Sequence, residues 1–350
     1  MHGRPHIWLR QEARPDERRA PLVPDDARRL VATGATVTVE DSPTRVFPLA
    51  DYVAAGCRPA EPGAWVDAAR DTWVLGLKEL PARPEALVHR HVLFGHAYKG
   101  QRGAGVLLRR FRAGGGELYD LEQLTDDTGR RLAAFGYWAG YVGAALGVLR
   151  RAGELDSPLG HTDETELLRR LRRCDPPGRA LVVGADGRAG RGALAALEAA
   201  GAAVTRWDVA ETRDLDRPAL RRHHLLVNTV LSTVPGPQLL TTVDLDRPDR
   251  LLDTVVDVSC DVDSPCNVLP IYDRCTTWSQ PARRLHAGPP PLDLIAIDNL
   301  PSLVPAEASR SFSADLLPLL VELRPDHPAW RRCRQAFHDA LARTKETTRA

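Results

Sequence analysis

The sequence has no excess of charge of either sign. Its 47 basic and 46 acidic residues leave a formal net charge of +1, and with the two signs interspersed there is no electrostatic case for a nucleic-acid partner. No apolar run approaches the roughly 18 residues that span a bilayer. The opening Met1-His-Gly-Arg-Pro-His6 lacks the apolar core of a signal peptide. These absences predict a cytoplasmic protein without a membrane partner. The six cysteines, Cys57, Cys174, Cys260, Cys266, Cys275 and Cys333, include no C-x-x-C pair. Three of them lie near Asp257, Asp261 and Asp263, but the spacing does not match the common structural zinc sites. Reduced thiols and no metal are expected. Internal repeats and low-complexity tracts are also missing.

What is present fits a globular chain of two domains. The 350 residues are 43% apolar and 27% charged, and that length accommodates more than one core. The most informative stretch is Arg179 to Asp208. A short apolar run, Ala180 to Val183, breaks into Gly184-x-x-Gly187-x-x-Gly190, an alanine- and leucine-rich segment follows, and a second apolar run from Ala202 to Trp207 stops at Asp208. That order is β-α-β with glycines at the first strand-to-helix turn. Gly184 and Gly187 let the backbone approach a pyrophosphate. The helix starting near Arg188 directs unpaired N–H groups at the phosphates. Asp208 is placed to accept from the adenosine ribose hydroxyls and to repel a 2′-phosphate, which predicts NAD over NADP.

Before this unit, strands are predicted at 6–9, 35–39, 72–77, 91–95 and 117–119, with helices at 24–32, near Asp51 and at 106–111. Residues 10–19 read as a polar, charged loop, and Leu132 to Phe135 as a short strand. The strand tips carry Lys78-Glu79 and His96-Ala-Tyr-Lys99, and ligands collect at the carboxyl ends of parallel strands. Lys78, His96 and Lys99 are therefore an acid-base candidate set. Glycines three and four apart in Gly136 to Gly147 suit a tightly packed helix at a domain junction. After Asp208, strands are predicted at 225–230, 251–258 and 294–297, then helices at 313–323 and 329–343. The predicted architecture is α/β, with two Rossmann-like domains. The substrate-side domain comprises 1–137 and 303–350, and the NAD-binding domain, 138–302, is inserted in it.

The assembled segments resemble the NAD-dependent, lysine-forming saccharopine dehydrogenases, within the wider alanine dehydrogenase and transhydrogenase-like superfamily. They are Leu9-Arg-Gln-Glu12 with Glu17-Arg-Arg19, Gly76-Leu-Lys-Glu79, Phe94-Gly-His-Ala-Tyr-Lys99, Leu118-Tyr-Asp-Leu-Glu122, Gly129-Arg-Arg131 through Phe135-Gly136, Asp257-Val-Ser-Cys-Asp261 and Ile297-Asp-Asn-Leu-Pro-Ser-Leu303. The resemblance implies Lys78 as the base and His96 as its acid-base partner. It implies saccharopine contacts from Arg19, Lys78, Lys99, Arg131, Phe135, Ser259, Cys260 and Asp261. It implies NAD contacts from Gln101, Arg130, Gly184, Gly187, Arg188, Asp208, Thr212, Val258, Ile297, Asp298, Asn299 and Leu300.

The implied reaction oxidises the secondary amine joining lysine to glutarate and hydrolyses the imine to lysine and 2-oxoglutarate. Lysine and histidine suit that chemistry: a lysine of lowered pKa takes the amine proton, and an imidazole shuttles protons during hydrolysis. Three substrate carboxylates call for cations, and arginine captures them bidentately. The expected partner is a small amino-acid substrate, the expected state a monomer or small homo-oligomer. The chain departs from the family at Ala189 and Thr229, where a cysteine pair is usual, and at Leu231, Asn299, Cys260 and Arg14. These departures keep open a relative acting on another N-substituted lysine or amino-acid adduct. A non-catalytic NAD-binding regulator is the alternative from another class.

Overall fold

The computed structural model describes residues 4–98, 101, 103–232 and 234–347. In chain order the first elements are β1 His6–Leu9, α1 Pro24–Ala32, β2 Thr36–Glu40, α2 Leu49–Ala54, β3 Arg58–Ala60, β4 Trp73–Leu75, β5 Arg90–Leu93, α3 Ala104–Gly114 and β6 Glu117–Asp120. There follow α4 Gly136–Arg151, α5 Glu164–Leu171, β7 Arg179–Val183, α6 Arg188–Ala199, β8 Ala203–Trp207, α7 Val209–Arg213, α8 Arg217–Arg221, β9 Leu225–Asn228, α9 Thr242–Leu245 and β10 Thr254–Asp257. The last are β11 Arg283–His286, β12 Leu292–Ile295, α10 Pro305–Val321 and α11 Pro328–Thr347. The chain divides into two compact units, residues 1–134 with 308–350, and residues 135–307.

The first unit holds a six-stranded sheet in the order β3-β2-β1-β4-β5-β6, parallel throughout. Parallel strands are buried on both faces, and β4 is accordingly Trp73-Val-Leu75 with every residue buried. Trp65, Val74, Leu93, Phe111, Leu118 and Phe337 share one cluster, so the C-terminal helix α11 completes the core that the first residues begin. The chain runs from β1 to β2 on one side and later returns to β4 on the other, which makes the gap between β1 and β4 a topological switch point.

The second unit repeats the plan in the order β11-β12-β10-β9-β7-β8. It is parallel except at the edge, where β11 runs antiparallel to β12. Its switch point lies between β7 and β9. Helix α4 crosses α6 at backbone distance: a Cβ on Gly140 would stand 1.7 Å from the Ala189 carbonyl oxygen, and one on Gly192 1.9 Å from that of Tyr137. Gly136 and Gly140 thus serve helix packing, Gly143 and Gly147 lie against Val256 of β10, and Trp138 through Leu149 is buried apart from Ala139.

Two local expectations are corrected. Leu132 to Phe135 is not a strand; only Arg131 bridges, to Thr125, because the segment turns directly into α4. The helix predicted from Ser313 begins at Pro305, since the proline supplies the fixed φ that suits a first helical turn. Residues 10–19 form the expected loop, within which Arg10, Glu12, Glu17 and Arg19 are buried. Their charges are paired, Arg10 with Glu12 and Arg19 with Glu17.

Candidate active site

In the first unit the charged residues gather at the carboxyl edge of the sheet. Lys78 follows β4, His96 follows β5, Asp120 ends β6 and Glu122 follows it. His96 sits with φ of 45°, a left-handed conformation rare for a residue with a side chain. The preceding Gly95 lies against Leu118 and Asp120, so tightly that a Cβ there would come within 2.7 Å of Leu118 Cδ2. The chain is pressed down at Gly95 and turned outward at His96. The His96 ring is half-exposed, with Nδ1 3.3 Å from Glu122 Oε1. That hydrogen bond raises the imidazole pKa above its ordinary 6.5; burial and the charge of Lys78 oppose the shift, and Asp120 adds to it. Lys78 and His96 are therefore electrostatic neighbours. Asp120 accepts from the Glu122 backbone N–H at 2.9 Å, and burial pushes its carboxyl up to about 6.

The buried charges of the loop between β1 and α1 lie at the same edge. Glu12 accepts from the backbone N–H groups of Leu77 at 2.7 Å and Lys78 at 2.9 Å. Arg19 donates from Nε and Nη2 to the two oxygens of Glu17, at 2.8 and 2.7 Å. Burial pushes Glu17 up, but Arg19, with Lys78 adding to it, outweighs burial and holds the carboxylate below its ordinary range. Arg14 pairs with Glu79 at 2.6 Å. Arg130 and Arg131 are exposed and follow a turn in which Asp126 Oδ1 accepts from Thr128 and from the Arg130 N–H. Gln101 is partly buried in the same unit. Lys99 lies outside the described residues. Sequence reasoning singled out the cations here and passed over the acids that face them, Glu12, Glu17, Asp120 and Glu122; their signal was position, each within three residues of a strand end or beside a quoted arginine.

In the second unit the predicted dinucleotide contacts converge on the β7/β9 switch point. Gly184 has φ of +81°, and a Cβ on it would lie 2.7 Å from Thr229 Oγ1. Thr229 donates to the carbonyls of Val183 and Gly184 at 2.8 and 3.1 Å, so its hydroxyl fixes the turn where the family resemblance places a cysteine. Gly187 is the N-cap of α6, and no side chain caps it. The positive dipole end of that twelve-residue helix suits an anion at the glycine turn. Asp208 at the tip of β8 accepts from the Asp186 N–H at 2.9 Å, which ties the strand tip to the glycine turn, and it caps α7 together with Glu211. Thr212 donates to the Asp208 carbonyl at 2.8 Å. A glycine cradle, an uncapped helix N-terminus and a carboxylate at the second strand tip fit an adenine dinucleotide.

The remaining predicted contacts line the neighbouring strand ends. Buried Asp257 accepts from Asn228, from the Ser259 N–H and hydroxyl, and from Tyr272 at 2.6 Å. This network sets the turn Val258 to Asp261, in which Cys260 has φ of 52°. Burial drives the Cys260 thiol pKa far up. Ile297 bridges Thr276, Asp298 is exposed, and Asn299 takes a left-handed conformation with Nδ2 donating to Ser302 at 2.6 Å. Leu300 is buried beside Gly143. Phe135 opens the second unit as the N-cap of α4.

Two doubly wound sheets, one with an acid-base cluster and one with a dinucleotide cradle, define a class: two-domain dehydrogenases of the alanine dehydrogenase and transhydrogenase type. Residues 8–142 match the family model "Alanine dehydrogenase/PNT, N-terminal domain". The fold is similar to that of an L-alanine dehydrogenase, with a TM-score of 0.66 at 19% identity over 95% of this chain and 93% of the other. It is also similar to the transhydrogenase from Sinorhizobium meliloti, with a TM-score of 0.64 at 18% identity over 91% and 93%. Among proteins of known activity the chain is 38% identical to the saccharopine dehydrogenase [NAD(+), L-lysine-forming] of Candida glabrata, over 96% of this chain and 97% of that one. The corresponding enzymes of Schizosaccharomyces pombe and Neurospora crassa are 37% and 38% identical, over 95% and 97% of this chain. The chain belongs to the saccharopine dehydrogenase (L-lysine-forming) family. No described helix is long and apolar enough to cross a membrane.

Proposed function

We propose that this protein is an NAD-dependent oxidoreductase that cleaves saccharopine to L-lysine and 2-oxoglutarate, reversibly, by hydride transfer followed by imine hydrolysis. The observation that carries the reading is identity of 35–38% to the fungal enzymes across essentially the whole of both chains. When bound, NAD accepts the hydride from the carbon that bears the secondary amine.

The residues of this chain do the rest. Lys78 takes the amine proton, because hydride leaves more readily when the nitrogen lone pair is free. His96, held by Glu122, passes protons to and from the water that adds to the imine, and then to the departing lysine nitrogen. Arg19, Arg131 and Lys99 take the substrate carboxylates, and Asp261 takes the ammonium of the lysine end. The glycine turn and the α6 N-terminus hold the pyrophosphate, and Asp208 holds the ribose. Gln101, Arg130, Arg188, Thr212, Val258 and residues 297–300 complete the NAD contacts. The reading extends to a cytoplasmic enzyme acting as a monomer or small homo-oligomer.

The test is absorbance of NADH on mixing purified protein with saccharopine and NAD, and its consumption with lysine and 2-oxoglutarate. Turnover in both directions is expected, with NADP much poorer. No turnover in either direction, with activity on another lysine- or ornithine-derived adduct, would overturn the choice of substrate while leaving the reaction class.

A further inference from the structure

Lys78 sits on a segment that is held in a way its own sequence does not explain. β4 ends at Leu75 and the chain continues through Gly76 and Leu77 without regular structure. Four backbone groups flank the Lys78 side chain: the N–H groups of residues 77 and 78, and the carbonyls of residues 78 and 79. None of the four belongs to a helix or a sheet ladder, yet all four are engaged by two side chains from the end of β1. Glu12 accepts from both N–H groups, one per oxygen, at 2.7 and 2.9 Å. Arg10 Nη2 donates to the Lys78 carbonyl and lies 3.4 Å from the Glu79 carbonyl. The two side chains face each other at 3.4 Å and are nearly sealed from solvent, at 0% and 6% exposure.

Stability alone is a weak reason for such a pair. Removing a guanidinium and a carboxylate from water costs about as much as their attraction returns, and apolar side chains of equal volume often serve as well. What apolar side chains cannot do is fix two N–H groups and two carbonyls of an irregular segment. The surroundings are built for this task. Gly76 gives the guanidinium its room: a Cβ there would stand 2.6–2.7 Å from Arg10 Nε, Cζ and Nη2. Arg10 is anchored in turn by its own N–H on the Leu75 carbonyl at 3.1 Å, by Nη1 on the Gln11 carbonyl at 2.8 Å, and by Arg45 on the Arg10 carbonyl at 3.2 Å.

We propose that Arg10 and Glu12 form a two-sided backbone clamp and are positioning residues for the reaction, setting where the Lys78 ammonium begins and points. They touch neither substrate nor cofactor; they act through the peptide groups on either side of Lys78. The proposal rests on the reading of Lys78 as the base. A misplacement of about 1 Å in a reacting group costs on the order of 100-fold in rate, so a clamp of this kind is expected to show in kcat.

The experiment compares Glu12→Gln, Gly76→Ala and Lys78→Met with the parent enzyme. Glu12→Gln keeps the shape but turns an N–H donor toward an N–H donor; Gly76→Ala changes no charge and displaces the Arg10 guanidinium. In both, the pH-independent plateau of kcat for saccharopine is expected to fall about 10- to 100-fold, with NADH affinity unchanged by fluorescence titration and unfolding still cooperative. A plateau kcat equal to the parent's would overturn positioning, and a parent-like plateau with only the acidic limb of the pH profile moved would show that Glu12 merely shifts the lysine's titration. Loss of kcat in step with loss of NADH binding and of cooperative unfolding would assign a purely structural role and likewise overturn it. If Glu12→Gln does not fold, Gly76→Ala decides by the same readouts. Lys78→Met separates the two layers. Parent-like kcat in that variant removes the base and the clamp together, whereas a collapsed kcat beside an unaffected Glu12→Gln removes the clamp alone.

Discussion

A lysine and a histidine at strand tips are common, and what distinguishes Lys78 and His96 is the set of charges around them. Lys78 lies near Glu17, Glu79 and His96, whose titrations its charge lowers in each case. Replacing it in Lys78→Met is expected to lower kcat by roughly 100-fold or more, the range for one acid-base group, as read by steady-state saccharopine oxidation. His96 carries the complementary prediction. Glu122 favours the protonated ring, so the folded-state pKa lies above 6.5. The ion pair's contribution to stability is then fully present below the unfolded value and is lost as the pH rises through the raised one. In Glu122→Gln the hydrogen bond to a charged acceptor is gone, while burial and Lys78 still favour the neutral ring. The His96 resonances in an NMR titration should therefore move at lower pH than in the parent. An unmoved titration would detach Glu122 from the histidine. At this scale the sequence displayed the cations and the histidine, because they stand at the ends of recognisable strands. It did not display that Arg10, Glu12, Glu17 and Arg19 are buried, because what covers them is supplied by the fold.

Helix α4 shows how an element is fixed by what it touches. Its sequence, Gly136 to Arg151, is apolar nearly all round; Gly136 and Gly140 meet α6, and Gly143 and Gly147 lie against Val256 of β10. A methyl group on Gly140 has no side chain to push aside, only the Ala189 carbonyl 1.7 Å away. Gly140→Ala is expected to destabilise the second unit by about 1–3 kcal/mol, the usual penalty for overpacking. Calorimetry would register a melting temperature lower by several degrees, at ~2–4 °C per kcal/mol for a protein of this size. An unchanged transition would mean that the helices separate freely. The β7-α6-β8 unit was legible because its chemistry is local: an apolar run, glycines, an alanine-rich helix and a terminal acid. The edge strand β11 was not, since Arg283-Arg-Leu-His286 has no apolar alternation and becomes a strand only by pairing with β12.

Across the whole molecule, each unit carries its own candidate residues at the carboxyl ends of its own sheet, and the two proposed ligands are expected to be separable by mutation. Arg131→Ala is expected to raise the KM for saccharopine or 2-oxoglutarate strongly and to leave NAD binding nearly intact. Loss of a charge-assisted contact costs about 1.5–3 kcal/mol, or roughly 10- to 150-fold in kcat/KM. Asp208→Ala is expected to do the converse, raising the NAD KM and narrowing the gap to NADP. Initial-rate kinetics with each substrate varied in turn checks both, and a KM for saccharopine unmoved in Arg131→Ala would reduce that residue to a turn cap. By itself the sequence determined the class of fold, the dinucleotide turn and the identity of the strand-tip residues, because apolar periodicity and glycine placement act over a few residues at a time. The tertiary structure alone decided the order of strands that creates the switch points, the pairing of Glu122 with His96, and the convergence of Arg10 and Glu12 on the backbone of Lys78. Those contacts join residues tens of positions apart, and their energies depend on burial, which no short stretch of sequence encodes.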